Sequence, residues 1–116
     1  MAAHCEVELD IFSGMPNPAW TLSSDEADSL LKRVAALPQT GARELVGNLG
    51  YRGFIVRCTG GASAQTVRVQ RGLVESEDRK TAYALDEDRG LERWLLSTGK
   101  SHLSSEIFTI VEGELH

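Results

Sequence analysis

Residues 4–12, HCEVELDIF, begin with a strict alternation of polar and apolar side chains. The even-numbered positions from His4 to Asp10 are polar, and the odd-numbered positions from Cys5 to Ile11 are apolar. A period of two is typical of a strand with one face on a core and the other in water. We therefore predict a first strand here, with a wet, acidic outer face.

The next regular pattern along the chain is helical. In residues 23–38, SSDEADSLLKRVAALP, apolar residues recur at spacings of three and four. Ser23 and Glu26 have the spacing of a capping box. The pattern predicts a helix that begins after Ser23 and ends before Pro38.

The connection between these two elements is FSGMPNPAW, Phe12–Trp20. Its prolines, Pro16 and Pro18, fix their own φ angles and bias the preceding residues toward extended conformations. We expect a stiff, nearly straight bridge. Trp20 is interpreted as a hydrophobic clamp that closes one end of the core, and stacking on a ligand is the alternative.

The middle of the chain has the composition of antiparallel strands. YRGFIVRC (51–58) and QTVRVQ (65–70) predict a hairpin with a turn at TGGASA. Residues 73–74 and 81–85 predict a second, shorter hairpin. Residues 39–50 contain three glycines and are interpreted as a loop, with one helical turn around 42–46 as an option.

Two elements are predicted at the C-terminal end. DEDRGLERWLLSTGK (86–100) places acids in a first turn, apolar residues on one face and Gly99 as a stop, which predicts a second helix. SEIFTIVEGEL (105–115) is interpreted as a last strand.

This order of elements predicts an α+β fold. We expect a mainly antiparallel sheet of four to five strands with two helices packed on one face, in the split βαβ order of ferredoxin-like domains. A chain of 116 residues suits one domain, 1–116, with one core.

The charge balance excludes some classes of partner. Lysine and arginine number 12 against 17 acidic residues, which gives a net charge of −5. A nucleic-acid-binding protein usually has an excess or a cluster of lysine and arginine, so we expect no nucleic-acid partner. The N-terminus has no apolar signal region, and no apolar run approaches the roughly 18 residues that span a bilayer, so we expect no membrane partner.

The chain has two cysteines, Cys5 and Cys58. They have neither the number nor the spacing of a disulfide framework, so we expect reduced thiols and a cytoplasmic protein. Cys58 could approach Cys5 if their strands are neighbours, and each would then behave as a small apolar core residue.

No catalytic constellation is recognisable in the sequence. His102 lies in a polar loop, and His4 and Cys5 are adjacent on a strand and so point to opposite faces, which argues against a metal site. The acids at 75–78 and 86–88 are explained by a hairpin tip and a helix start. No phosphate-binding glycine motif occurs in the right context, so we expect no cofactor, no metal and no catalytic residue.

The remaining signal is a possible recognition surface. If Val67 faces the core, Arg68 lies on the opposite face, and Arg57 joins it from the partner strand. Adjacent like charges favour a bound carboxylate or acidic peptide, and neutralisation by nearby acids is the alternative. Tyr51 and Arg52 add aromatic and basic groups at the start of the same strand. The predicted binding residues are Trp20, Tyr51, Arg52, Arg57 and Arg68.

Three stretches, LDIFSGMPNPAW, LGYRGFIV and LERWLL, resemble a scattered group of small, uncharacterised bacterial proteins. Proteins of this kind are similar to the non-catalytic, peptide-binding accessory proteins of crocagin-type ribosomal peptide biosynthesis. The resemblance implies a binding module and carries over no site residue.

Three functions are therefore predicted as alternatives. The first is a non-enzymatic accessory module that binds a peptide or protein and presents it to a biosynthetic enzyme. The second is a small cofactor-free isomerase or cyclase with one general acid or base, for which His102, Glu106 or Asp10 would be tested first. The third is a structural homodimer joined through sheet edges or open faces.

Overall fold

The computed structural model describes residues 4–11, 16–41, 51–60, 64–77 and 81–115. Within these residues the chain forms seven strands and three α-helices. In chain order they are β1 His4–Leu9, β2 Ala19–Thr21, α1 Ser24–Ala36, β3 Gln39–Thr40, β4 Phe54–Thr59, β5 Gln65–Gln70, β6 Leu73–Glu77, β7 Thr81–Leu85, α2 Gly90–Thr98 and α3 Ser105–Glu114.

The strands form one sheet in the order β2-β1-β4-β5-β6-β7-β3. Every neighbouring pair is antiparallel. The predicted α+β class and antiparallel sheet are confirmed. The split βαβ order is wrong, because that order places parallel strands side by side, and the sheet has more strands than the four to five predicted. The two additional strands, β2 and β3, are only three and two residues long.

The alternation in residues 4–11 has the predicted result. Cys5, Val7 and Leu9 are fully buried, and His4 and Glu6 are exposed. Both predicted hairpins, β4–β5 and β6–β7, are present.

A further hairpin joins β5 to β6 through a two-residue turn. Arg71 and Gly72 in this turn have φ angles of 50° and 81°. Positive φ at both positions is the type I′ geometry that matches the twist of paired strands. The turn makes β5 a central strand, flanked by β4 and β6.

The first two predicted helices are confirmed. The Ser23 side chain accepts a hydrogen bond from the Glu26 amide at 3.1 Å, and the Glu26 carboxylate accepts one from the Ser23 amide at 2.9 Å, which completes the capping box of α1. The helix ends at Ala36, before Pro38. The second helix, α2, is preceded by a 3-10 turn at Glu87–Arg89 and ends against Gly99.

The predicted last strand is wrong, because residues 105–114 form α3. The Ser104 side chain accepts a hydrogen bond from the Ile107 amide at 3.2 Å and caps this helix. Val111 and Leu115, four residues apart, are both buried. The β-branched and aromatic residues of this stretch resemble a strand in composition, but their burial follows helical spacing.

The predicted straight bridge before α1 is also corrected. Trp20 pairs with Val7 in the β1–β2 ladder, and the Leu9 amide donates to the Pro18 carbonyl at 2.9 Å. The chain therefore doubles back along β1 before α1 begins. Residues 12–15 of this connection lie outside the described residues, as do the proposed helical turn at 42–46 and the centre of the TGGASA turn.

The hydrophobic core lies between the helices and one face of the sheet. Inward side chains of the strands and apolar side chains of all three helices form a single cluster. Its fully buried members are Cys5, Val7, Leu9, Ala27, Leu30, Val56, Val67, Val69, Val74, Leu95 and Val111. Helices on one face of the sheet were predicted, and α3 adds a third.

Cys5 and Cys58 are directly opposite each other in the β1–β4 ladder and form a disulfide. The expectation of reduced thiols is therefore wrong. It came from counting cysteines, whereas the antiparallel register places two core-facing cysteines side by side. Among the described residues, no helix has both the length and the apolar character needed to cross a membrane.

Candidate functional site

The side of the sheet opposite the core has no described helix packed on it, and we call it the open face. One line of cross-strand partners runs across five strands of this face, and we call it the central row. The central row consists of Glu8, Ile55, Arg68, Glu75 and Tyr83, in that order. It places acidic, apolar, basic, acidic and aromatic side chains on adjacent strands.

Arg57 lies on the open face but is already paired. Its Nη1 atom donates to Glu8 Oε1 at 2.8 Å, and Glu8 Oε2 accepts from the Asn17 amide group at 2.8 Å. The hydrogen bond from Asn17, followed by the hydrogen bond from Arg57, lowers the pKa of Glu8 below its ordinary value. Neutralisation by a nearby acid, the predicted alternative, is therefore correct for Arg57.

Arg68 differs from Arg57, because it takes part in none of the ion pairs found among the described residues. Its side chain is exposed, and its cross-strand neighbours are Ile55 and Glu75. Glu75 in turn lies opposite Tyr83 in the β6–β7 ladder. Burial of Tyr83, and then the charge of Glu75, raise the pKa of this phenol. Arg68 thus lies between an apolar and an acidic neighbour and forms no ion pair with any described residue.

Ile55 provides the apolar part of the central row. It is only 6% exposed, yet it does not belong to the core cluster on the helix side. Its neighbours in the row are Glu8 and Arg68, whose long side chains can cover apolar surface with their methylene groups. The middle of the open face therefore combines a sheltered apolar side chain with a guanidinium group that no described acid pairs with.

Arg52 contacts the end of β1. Its Nη2 and Nε atoms donate to Asp10 Oδ1 at 2.9 Å and 3.1 Å, and its amide donates to the Asp10 carbonyl at 2.8 Å. Asn17 also approaches Asp10 Oδ1, at 3.4 Å. These contacts fasten the chain before β4 to the chain after β1, so Arg52 is held in place by its own fold.

Trp20, by contrast, lies in the core. It is 4% exposed, its Nε1 atom donates to Thr98 Oγ1 at 3.0 Å, and its ring meets Phe54 edge-on at 6.4 Å. His102 stacks against it with ring centroids 6.3 Å apart. This is the position expected of a clamp between sheet and helices, and no contact places the indole on the open face.

Tyr51 belongs to a buried polar network centred on Glu92. The Tyr51 hydroxyl donates to Glu92 Oε2, and Arg89 donates to both carboxylate oxygens, at 3.0 Å and 2.9 Å. Glu92 is fully buried, and the Gly72 amide donates to its Oε1 atom at 3.3 Å. Burial first, and then the charge of Glu92, raise the pKa of Tyr51. The network is satisfied internally and joins the β5–β6 turn to α2.

Asp86 completes this network at the start of α2. It is 3% exposed, and its two carboxylate oxygens accept from the Leu91 and Glu92 amides at 2.8 Å and 3.0 Å. Asp88 and Arg89 just before the helix have positive φ angles. In this conformation the Arg89 side chain reaches back to Glu92. Its two hydrogen bonds to that carboxylate offset the cost of the unusual backbone angles. The sequence analysis did not single out Glu92. Glu92 lies three residues before Leu95 and four before Leu96, so helical spacing places this charged residue on the apolar face of α2, and that was the available signal.

The predicted binding residues therefore divide into three groups. Trp20 and Tyr51 lie in the core, Arg57 and Arg68 lie on the open face, and Arg52 pairs with Asp10 at the end of β1. The structure brings Arg57 and Arg68 onto one face, as the alternation predicted, and separates them from the two aromatic residues. Sequence reasoning did not include Ile55, Glu75 or Tyr83, which only the strand register reveals as neighbours of Arg68.

The side chains named for the enzyme hypothesis are not assembled into one site. Asp10 pairs with Arg52, His102 stacks on Trp20, and Glu106 is exposed in the first turn of α3. Among the described residues, no group of three or more histidine, cysteine, aspartate or glutamate side chains could hold a metal ion.

No protein-family model, curated protein or solved structure matches this chain. The resemblance to accessory proteins of ribosomal peptide biosynthesis therefore stays a prediction.

Proposed function

We propose that this protein is a non-enzymatic module that binds an extended peptide segment, free or within a partner protein, over the open face of its sheet. The observation that carries the proposal is the central row. It presents a sheltered isoleucine, and an arginine that forms no ion pair with any described residue, on a surface of paired strands, where aromatic, apolar and arginine side chains commonly form recognition sites.

The edges of the sheet offer less to a partner. The edge strands β2 and β3 have three and two residues, and short edge strands are a common way to prevent pairing with another chain. A peptide that adds a strand would need a longer row of free backbone groups than these strands provide. The open face is therefore the surface on which we place the ligand, and presentation to a biosynthetic enzyme is the role we propose for the complex.

The test is a titration of the isotope-labelled full chain with synthetic peptides encoded by short genes near its own, monitored by amide chemical shifts. We expect saturable shifts in β4, β5 and β6, and little change in α1 and α3. Trp20 fluorescence is a poor reporter, because the indole is buried on the other side of the sheet.

A pair of threonine variants supplies the control. Thr66→Tyr places a bulky ring on the open face beside Arg57, whereas Thr109→Tyr places the same ring on the exposed surface of α3. We expect the first to weaken peptide binding and the second to leave it unchanged. Equal effects of the two variants, or no saturable shift with any peptide, would contradict the proposed function.

A further inference from the structure

Resting on the proposed function, we infer that Arg68 is the contact at which the open face selects a peptide carboxylate, and that Tyr83 keeps this contact available by holding Glu75. The ligand class is thus an extended peptide segment that carries an acidic side chain opposite Arg68. In this proposal Arg68 alone recognises the acidic side chain of the peptide, and Arg57 does not take part.

The central row contains two carboxylates, those of Glu8 and Glu75. Glu8 is bound by Arg57 and Asn17. Glu75, the direct cross-strand partner of Arg68, lies opposite Tyr83 on the strand beyond it, and its charge contributes to the raised pKa of that phenol. Neither acid of the central row forms an ion pair with Arg68. A guanidinium with no ion pair to any described residue can offer its planar set of donors to a bidentate carboxylate.

The preference for a carboxylate has to come from a short-range contact. The whole chain has a net charge of −5, so its overall field repels an acidic peptide. A preference for glutamate over glutamine at one peptide position must then arise from a local contact. A hydrogen-bonded contact to a charged group commonly changes affinity by about tenfold or more, particularly where a bound segment excludes water next to an apolar side chain such as Ile55.

Tyr83 acts as a positioning residue in this proposal. Its hydroxyl is the polar group that β7 places opposite Glu75, so without it Glu75 should turn toward Arg68 on β5. An internal salt bridge would then compete with the peptide carboxylate. Removing the charge of Glu75 in the same molecule eliminates that competition, so the second substitution should rescue the first.

The experiment uses the labelled full chain on an array of nine-residue peptides, in which each sequence is present twice, with a central glutamate and with a central glutamine. Pairs that bind are then compared in solution by fluorescence anisotropy. We expect the glutamate peptides to bind about tenfold more tightly. Arg68→Gln should abolish this preference and retain binding of the glutamine peptides, and Arg33→Gln on α1 should leave the preference intact.

Two further variants test the role of Tyr83. Tyr83→Phe should reduce the preference for glutamate, and Tyr83→Phe combined with Glu75→Gln should restore it. A loss of structure would not be rescued in this way, and thermal unfolding of each variant checks that the fold is retained.

The outcomes separate this inference from the proposed function. Equal binding of glutamate and glutamine twins by the unmodified chain overturns the role of Arg68 and leaves the proposed function standing. A preference that disappears with Arg57→Gln and survives Arg68→Gln overturns the assignment to Arg68. Absence of binding to every peptide on the array overturns the inference and the proposed function together.

Discussion

The indole nitrogen of Trp20 donates a hydrogen bond to the hydroxyl oxygen of Thr98 at 3.0 Å. This contact joins the edge strand β2 to the last residue of α2. Thr98 Oγ1 also donates to the Leu95 carbonyl at 2.6 Å, so the acceptor of the indole is itself fixed in place. The side chain of Trp20 thereby connects the sheet to the helical layer.

Trp20→Ala should lower the free energy of unfolding by about 3–5 kcal/mol, the usual cost of removing a large buried aromatic side chain. Thr98→Val removes only the hydrogen-bond partner and should cost about 1–2 kcal/mol. Urea denaturation measures both. If Trp20→Ala kept its stability and lost peptide binding, the indole would have to be reassigned from the core to the ligand site.

Gly99 also packs closely against the indole ring of Trp20. A Cβ atom at position 99 would lie 2.5 Å from Cζ2 of Trp20 and 2.6 Å from Cη2, although the backbone φ of −93° is ordinary for any residue. Gly99→Ala should therefore destabilise the fold through overpacking, by about 1–3 kcal/mol.

Gly113 in α3 is the matched control for that substitution. A Cβ atom at position 113 has nothing within 4 Å, and an alanine inside a helix is preferred over glycine by about 0.5–1 kcal/mol. Gly113→Ala should thus raise the unfolding midpoint. In a Trp20→Ala background, the cost of Gly99→Ala should disappear, and a cost that persisted would show that the ring is not its source.

The Cys5–Cys58 disulfide closes a loop across a sequence separation of 53 residues. Restricting the unfolded chain in this way commonly stabilises the fold by about 2–4 kcal/mol. Reduction, or replacement of both residues by alanine, should lower the urea midpoint by a corresponding amount. Intact mass and thiol labelling before reduction provide the control, and two freely labelled thiols in the purified, air-oxidised chain would refute the pairing.

The sequence predicted those elements whose periodicity extends over several residues. The alternation from His4 to Ile11 and the capping box of Ser23 and Glu26 both gave the correct element. The strands β2 and β3 are too short to show a period. The apolar residues of α3 have the composition of a strand, and only the burial of Val111 and Leu115 shows that their spacing of four residues is the relevant signal.

The candidate site was predictable only to the level of a face. Alternation is a local property, so it placed Arg57 and Arg68 on the same side of the sheet correctly. Which of the two is neutralised depends on cross-strand partners, and these depend on register. Arg68 lies opposite Glu75, and Glu75 lies opposite Tyr83, because of the turns and the strand order. A period of two does not encode either of these.

Glu8 offers a test of the electrostatics of the open face. Its lowered pKa has the Asn17 hydrogen bond as the largest cause and Arg57 as the second. In a carboxyl titration by nuclear magnetic resonance, Asn17→Ala and Arg57→Gln should each raise the Glu8 pKa toward its ordinary value, the first by removing one hydrogen bond and the second by removing a hydrogen bond and a positive charge. Since the folded pKa is lowered, the stability that Glu8 contributes is present above its ordinary pKa and is lost as the pH falls through the folded value. A Glu8 pKa that stayed unchanged in either variant would contradict the arrangement of hydrogen bonds around Glu8.

Because the pKa of Tyr51 is raised, the fold should lose stability at alkaline pH. Its pKa is raised by burial and by the charge of Glu92, whereas in the unfolded chain it should titrate near the ordinary value of about 10. Below that pH both states hold the phenolic proton, and the stabilisation is complete. As the pH rises above it, the unfolded chain releases a proton that the folded chain retains, so the free energy of unfolding should fall by up to about 1.4 kcal/mol per pH unit.

The two tyrosines of the chain allow this to be assigned to one side chain. In Tyr83→Phe the only phenol is Tyr51, so phenolate absorbance should appear together with unfolding, measured by circular dichroism, and not before it. In Tyr51→Phe the decline of stability above pH of about 10 should become shallower, because the proton that distinguished the two states has been removed. Phenolate absorbance that develops in Tyr83→Phe while the fold is still intact would mean that Tyr51 ionises beside Glu92, and the buried network would then need a different account.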